Sequence, residues 1–471
     1  MGPANELQAH RRRIAVSCLV GIGVVVGLGG CLTSGRYDMA RIHRDAAALP
    51  RNPVIVIHGF LGSRLRNART HQGVWGKLID SVRRGDPDDL ALPIDRLPIT
   101  ANRDDLLAYE IYDKVAGVKF YGALLDALEK VGRYRPGDIR NPRPGDTLFV
   151  YAYDWRRDIV ESASGLGNAI QQIKTHLDRP DLKFDIVAHS MGGIVASYYL
   201  KYGAADVLDR PLPATPPYAG TDDVARVVTI ATPHLGTMSA FEALNKGIAR
   251  TLSPRDIFTM PSIYQLLPAD PRGHFVDPEG APVEVPLYEA STWVRGRWSV
   301  FSSEAGAGSV PTGGAERFLQ GALDRARALH AAMAIDRPEG PPVPVHLFGS
   351  DCMPTLDQVV LEPGSNRVRL EFPDQSPTWR NARERGKVAL IPGDGTVTAD
   401  SLLAFGPGIN HGPNVSTYIF CGTHGLMVSN PALQDNLLHV LLGNAARKST
   451  VEAATDAPPS VRPASDPFRD R

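Results

Sequence analysis

Phe184-Asp185-Ile186-Val187-Ala188-His189-Ser190-Met191-Gly192-Gly193-Ile194-Val195-Ala196 is the stretch whose reading decides the fold: an apolar run passes through a tight turn at Ser190 straight into a helix-compatible run. A serine held at such a turn stands with its hydroxyl exposed above the carboxyl edge of a sheet, and small neighbours let strand and helix approach closely. Ala188 takes the place of the first glycine of the usual pattern, and alanine is small enough to keep that steric logic.

Working outward, Val54 to Ile57, Thr147 to Tyr151 and Val227 to Ile230 are further apolar runs, followed late in the chain by Val343 to Phe348 and Ser416 to Phe420. Apolar on consecutive positions, they predict strands buried on both faces. Leu166, Ile170, Ile173 and Leu177 repeat at helical spacing, and the segment from Ile194 to Tyr202 is also helix-compatible. Strands alternating with helices imply an α/β fold with a mostly parallel sheet covered on both sides. Two connections are far longer than usual and predict cap or lid insertions at about 64–145 and 237–340. In the second, Met238, Phe241, Leu244, Ile248 and Leu252 share one helical face, either lipid-facing or part of the cap core. Asn430-Pro431 starts a last helix, and 446–471, rich in Ala, Pro, Ser and Asp, is expected to be a disordered tail.

A serine hydroxyl at neutral pH needs an imidazole to take its proton and a carboxylate to orient that imidazole. In this architecture the order along the chain is serine, acid, histidine. His424, just past a buried strand and before the last helix, is the candidate base; His411 before that strand and His439 inside the helix are poorly placed. Asp394, flanked by Gly393 and Gly395, is the candidate acid, with Asp351 and Asp400 as competitors. Negative charge developing on a carbonyl oxygen needs preorganised N–H donors. His58-Gly59-Phe60-Leu61-Gly62-Ser63 follows the first strand, so the expected donors are the backbone N–H groups of Phe60 and Met191. His58 itself is expected to shape the loop by hydrogen bonding rather than act as a base. This chemistry calls for no metal and no cofactor.

Fifty-one basic residues balance fifty-one acidic ones among 471, which gives no field to attract nucleic acid. His10 to Arg13 precede an uncharged run from Ile14 to Gly30, expected to be an export signal (1–30). Leu28-Gly29-Gly30-Cys31 resembles the lipobox of bacterial lipoproteins, which implies lipidation at Cys31, membrane anchoring and a linker over 31–50; a plain secretory signal is the alternative. Cys352 and Cys421 are then left in a compartment where disulfides persist, either paired or as buried thiols.

Five pieces in order resemble the lecithin:cholesterol acyltransferase-like branch of the α/β-hydrolases: His58 to Ser63; Tyr153-Asp154-Trp155-Arg156; the turn around Ser190; Pro261-Ser262 with Leu266-Leu267-Pro268; and Gly393-Asp394-Gly395-Thr396-Val397 followed by His424-Gly425. The resemblance implies an α/β-hydrolase domain over 51–445 and favours Asp394 over its competitors. It puts Asp154, Trp155 and Arg156 near the mouth of the site as substrate contacts, with a fold-stabilising aromatic and ion pair as the other reading. Trp75 is the nearest match to the family's tryptophan-bearing membrane-contact element. The activity implied is a lipase-type esterase or O-acyltransferase acting on lipid esters, phospholipid esters first among them, through an acyl-enzyme, with no choice between water and an alcohol as acceptor. An amidase or peptidase, or a non-catalytic lipid-binding lipoprotein, are the rival classes.

Overall fold

A computed structural model describes residues 38–76, 90–115, 118–248, 252–302, 312–363, 368–373, 389–404 and 412–455. The chain divides into two units, 1–42 and 43–471. Of the first, only 38–42 is described, with a helical turn at Met39–Ile42. The export signal, Cys31 and the segment 456–471 lie outside the described residues.

Six strands form the central sheet: β1 (Val54–Ile57), β2 (Leu148–Tyr151), β3 (Phe184–His189), β4 (Val224–Ile230), β5 (Val345–Gly349) and β6 (Val415–Ile419). Their order is β6-β5-β4-β3-β1-β2, and every pairing is parallel. β1 and β3 each have a neighbour on both sides and are buried along their whole length. Consecutive apolar residues therefore serve both faces. Helix α1 (Ile159–His176) starts at Asp158, whose carboxylate accepts from the N–H groups of Val160 and Glu161, and packs through Leu166, Ile170 and Ile173. Helix α2 (Met191–Tyr202) follows Ser190 directly and is buried almost throughout, so no polar face interrupts its sequence.

The insertions are real elements rather than open loops. Within the first, Ser63–Asn67 pairs antiparallel with Gly73–Trp75 and Leu106–Ile111. The second contains α3 (Met238–Lys246) and α4 (Thr312–Ala334). The expected helical face does not run on to Leu252, because Gly247, at φ 80°, ends α3 in a conformation that side-chain-bearing residues resist. Met238, Phe241 and Leu244 are buried, so this face belongs to the cap core.

A third excursion, between β5 and β6, was not expected. It contains strands Met353–Leu356, Val359–Pro363, Val368–Glu371 and Leu390–Gly393, and is joined to the second insertion where Phe275 pairs with Val359.

Two boundaries differ from expectation. Residues 43–50 are not a free linker: Ala47 is buried, and the His43 ring is 2.8 Å from Asp435 of the last helix. That helix, α5 (Pro431–Thr455), continues ten residues past Ala445, through a segment whose Ala, Arg, Lys and Glu residues favour helix. No helix among the described residues is long and apolar enough to cross a membrane.

Candidate active site

β3 ends at His189 and leads into Ser190, which takes φ 54° and ψ −128°. A non-glycine residue with positive φ is strained and persists only where its surroundings over-determine it. Here the Ser190 N–H donates to Ile230 O at 2.8 Å, tying the turn to the end of β4. The neighbours must also be glycine. A Cβ on Gly192 would sit 2.3 Å from His58 O, and one on Gly193 would sit 1.9 Å from Thr232 Oγ1. A Cβ on Gly59 would come within 2.6 Å of the Ser190 Cβ, so the loop after β1 presses against the serine from the other side.

His424 opens a short 3-10 turn (His424–Ser429) just beyond β6. Its Nε2 lies 2.9 Å from Ser190 Oγ and its Nδ1 lies 2.7 Å from Asp394 Oδ2. With the proton on Nδ1 both contacts are satisfied: the ring donates to the carboxylate and accepts from the serine hydroxyl. Asp394 is buried, and its Oδ1 accepts from the N–H groups of Thr396 at 2.9 Å and Val397 at 2.8 Å. The His424 N–H donates to Asp394 O at 2.8 Å, so backbone as well as side chain fixes the pair.

The acid reaches this place by a detour. Asp351 stands directly after β5 but is exposed, as is Asp400; His439 is exposed on α5, and His411 lies outside the described residues. The third excursion leaves β5 and returns beside its end: Gly393 pairs with Met353, and Ser350 Oγ donates to Gly393 O at 3.2 Å. Asp394 thus occupies the neighbourhood that Asp351 suggests from position alone. Cys352 and Cys421 are joined by a disulfide, which links this corner to the segment leading into His424.

The loop carrying Phe60 is held from behind. His58 Nδ1 donates to Gly59 O at 2.8 Å, Gly62 N–H donates to the same oxygen at 3.1 Å, and His58 Nε2 accepts from Tyr153 N–H at 3.1 Å. Because the Gly59–Phe60 amide is planar and trans, pinning its oxygen aims the Phe60 N–H the opposite way. The Met191 N–H is the first of α2 and so has no intrahelical acceptor. Among the described residues neither N–H donates within the chain. Burial pushes the His58 pKa down to about 4, so its ring is neutral at pH 7.

Asp154, Trp155 and Arg156 are engaged within the chain, as the fold-stabilising reading of the motif has it. Trp155 and Arg156 are 0% exposed. The Arg156 guanidinium is occupied by Asp154 at 2.7 Å, Asp104 at 2.6 Å and Leu90 O at 3.1 Å. It clamps the first insertion to the segment after β2. Trp155 Nε1 donates to Ser63 O, and its ring packs edge-on against Phe60 at 5.0 Å and Trp75 at 5.6 Å. Ser262 Oγ in turn donates to Trp155 O at 2.7 Å. These motif pieces brace the Phe60 loop instead of lining the mouth.

Sequence reasoning missed Tyr121. Its hydroxyl accepts from Gly59 N–H at 2.8 Å and lies 2.8 Å from His189 Nδ1, inside the group. A separate cavity of about 620 Å³, lined by Ser197, Leu200, Lys201 and His330 among others, lies toward the other end of α2 and includes neither Ser190 nor His424.

Comparison with known proteins bears on the fold and on the middle of the chain. The lecithin:cholesterol acyltransferase family profile matches residues 105–269, which hold the 153–156 motif, the Ser190 turn and the 261–268 segment. No curated protein matches the chain in sequence. Among solved structures, a chain of the Tle4–Tli4 complex aligns with a TM-score of 0.53 at 13% identity, covering 84% of this chain and 98% of that one. The product of gene lin2722 from Listeria innocua aligns at 0.33 and 11% identity, over 83% of this chain and 94% of that one. The mature lipase BlEst2 from Bacillus licheniformis aligns at 0.34 and 12% identity, over 83% and 92%. The chain therefore has the α/β-hydrolase fold and, over residues 105–269, is similar to the lecithin:cholesterol acyltransferase family.

Proposed function

We propose that the protein is a serine esterase or O-acyltransferase acting on lipid acyl esters. The observation that carries this reading is the unbroken line of hydrogen bonds from Asp394 through His424 to Ser190, beside two backbone N–H groups with no partner among the described residues. Ser190 Oγ attacks the ester carbonyl carbon while His424 Nε2 takes its proton, and Asp394 steadies the resulting imidazolium. The carbonyl oxygen becomes an oxyanion held by the N–H groups of Phe60 and Met191. Collapse expels the alcohol, which leaves with the proton from His424. Water or a second alcohol then gives its proton to His424 and attacks the acyl-Ser190 carbonyl; collapse breaks the bond to Ser190 Oγ, which takes the proton back from His424, and releases acid or a new ester.

We further place the mature enzyme at a membrane surface through an acylated Cys31, which would bring it to insoluble lipid. Labelled palmitate should enter the protein and be lost in Cys31→Ser. For the activity, purified protein is given phospholipid vesicles with and without a sterol or long-chain alcohol, and the acyl products are resolved. Free fatty acid alone identifies a hydrolase, and new esters identify a transferase. Undiminished product from Ser190→Ala would overturn the mechanism.

A further inference from the structure

Two side chains outside the Ser190–His424–Asp394 line touch both of its working ends. Tyr121 lies 68 residues before His189, in the first insertion, at the start of the helical segment Tyr121–Asp126. Both side chains are buried. The hydrogen bonds between them run in one consistent direction. Gly59 N–H donates to Tyr121 Oη at 2.8 Å, Tyr121 O–H donates to His189 Nδ1 at 2.8 Å, and His189 Nε2–H donates to His424 O at 3.2 Å. Each group has one role that fits its neighbours: the amide and the carbonyl at the two ends have no freedom, so the tyrosine must donate to the ring and the ring must carry its proton on Nε2.

We propose that Tyr121 and His189 are positioning residues that lock the Phe60 loop and the backbone of the catalytic base into one register through the chain Gly59 N–H, Tyr121 hydroxyl, His189 imidazole and His424 carbonyl. This rests on the proposed Ser190 chemistry. The physical reason is that the Phe60 donor and the base come from segments more than 350 residues apart in sequence, around Gly59 and His424, yet must agree to a fraction of an ångström. A hydrogen bond from each segment to a common, sealed pair of side chains removes their relative motion. Phe120 closes the pair off, packing edge-on against Tyr121 at 5.0 Å and His189 at 6.2 Å. Burial holds the His189 ring neutral at pH 7, its pKa depressed to about 3, which keeps Nδ1 available as the acceptor.

The role is distinct from catalysis itself, since the His189 contact with His424 is to the backbone carbonyl and the Tyr121 contact is to Gly59, one residue before the donor.

The test compares Tyr121→Phe with Tyr202→Phe. Tyr202 also buries a hydrogen-bonded hydroxyl, donating to Ala332 O at 2.7 Å, but has no contact with the site. Kinetics on a soluble short-chain ester are paired with the inhibition constant of a trifluoromethyl ketone, which forms a tetrahedral adduct and so reports on the oxyanion donors. Tyr121→Phe is expected to lose about tenfold in kcat with KM within twofold, and to bind the ketone about tenfold less tightly. Tyr202→Phe should match the wild type in both. Equal kcat and ketone affinity in Tyr121→Phe and wild type would overturn the proposal.

Should Tyr121→Phe fail to fold, His189→Gln and His189→Phe decide the matter. Glutamine can keep a donor near the Nε2 position and phenylalanine cannot, so His189→Gln should retain at least fivefold more kcat than His189→Phe. Equal rates, or failure of all three variants to fold, would make the pair a folding element and overturn the assignment. The Ser190 reading fails separately, by activity persisting in Ser190→Ala.

Discussion

Acid should loosen the loop after β1 through a single ring. His58 is fully buried, stacked on Tyr153 with ring centroids 4.2 Å apart, and uses both nitrogens: Nδ1–H toward Gly59 O and Nε2 as acceptor for Tyr153 N–H. A proton added at Nε2 would face another N–H, and the charge would have no counter-ion in direct contact. Desolvation is the largest cause of the shift, taking the pKa from 6.5 to about 4. A histidine whose folded pKa is depressed contributes stability that is complete above the unfolded pKa and declines as pH falls toward the folded value. The His58 contribution is therefore whole above about pH 7. It shrinks by about 2 kcal/mol at pH 5 and by about 3 kcal/mol below pH 4, using 1.36 kcal/mol per pKa unit. The assay is urea unfolding of wild type and His58→Gln from pH 8 to pH 4.5. Glutamine has no proton to gain in this range, so the stability advantage of wild type should narrow by about 2 kcal/mol between pH 7 and pH 5. A difference that stays constant with pH would refute the reasoning.

Three other outcomes follow from the same structure. Arg156→Lys cannot span both Asp154 and Asp104, and leaving these part-buried carboxylates short of a partner should cost about 2 kcal/mol; a thermal melt within 1 °C of wild type would contradict this. Replacing Cys352 and Cys421 by serine opens a loop closed across a sequence separation of 69, worth about 4 kcal/mol on the chain-entropy account, and should lower the melting temperature; an unchanged melt would count against it. Asp394→Asn can keep the bonds from Thr396 and Val397 N–H yet lose control of the His424 tautomer, so kcat should fall on the order of 10⁴-fold with the circular dichroism spectrum unchanged.

The sheet was legible in the sequence because strands covered on both faces are apolar on consecutive positions, as Val54–Ile57 is throughout and Phe184–His189 is apart from Asp185 and His189. The Ser190 turn was legible for a local reason: Gly192 and Gly193 mark where backbone and side chains leave no room for a Cβ. His424 followed from chain order and from its place between β6 and α5. Asp394 needed the family pattern, since nothing local reveals that a detour of some forty residues returns it beside Ser350.

What stayed hidden is tertiary. Arg156 carries the same letters whether it binds substrate or a distant carboxylate, and only the position of Asp104 decides. Tyr121 sits in an insertion with no repeating pattern, and its partners Gly59 and His189 belong to two strand ends that meet only in the folded sheet. Boundaries failed for the ordinary reasons: a glycine ended α3 early, and a helix-favouring composition carried α5 past the predicted tail.

The account stands or falls on Ser190 being activated by His424. Purified wild type, Ser190→Ala and His424→Ala are treated with a fluorophosphonate, and the modified peptide is located by mass spectrometry. The account predicts one adduct on Ser190 in wild type, none in Ser190→Ala, and labelling of His424→Ala slowed at least a thousandfold with the fold intact. Labelling of Ser190 at the wild-type rate without His424, or an adduct on another residue that persists in Ser190→Ala, would contradict it.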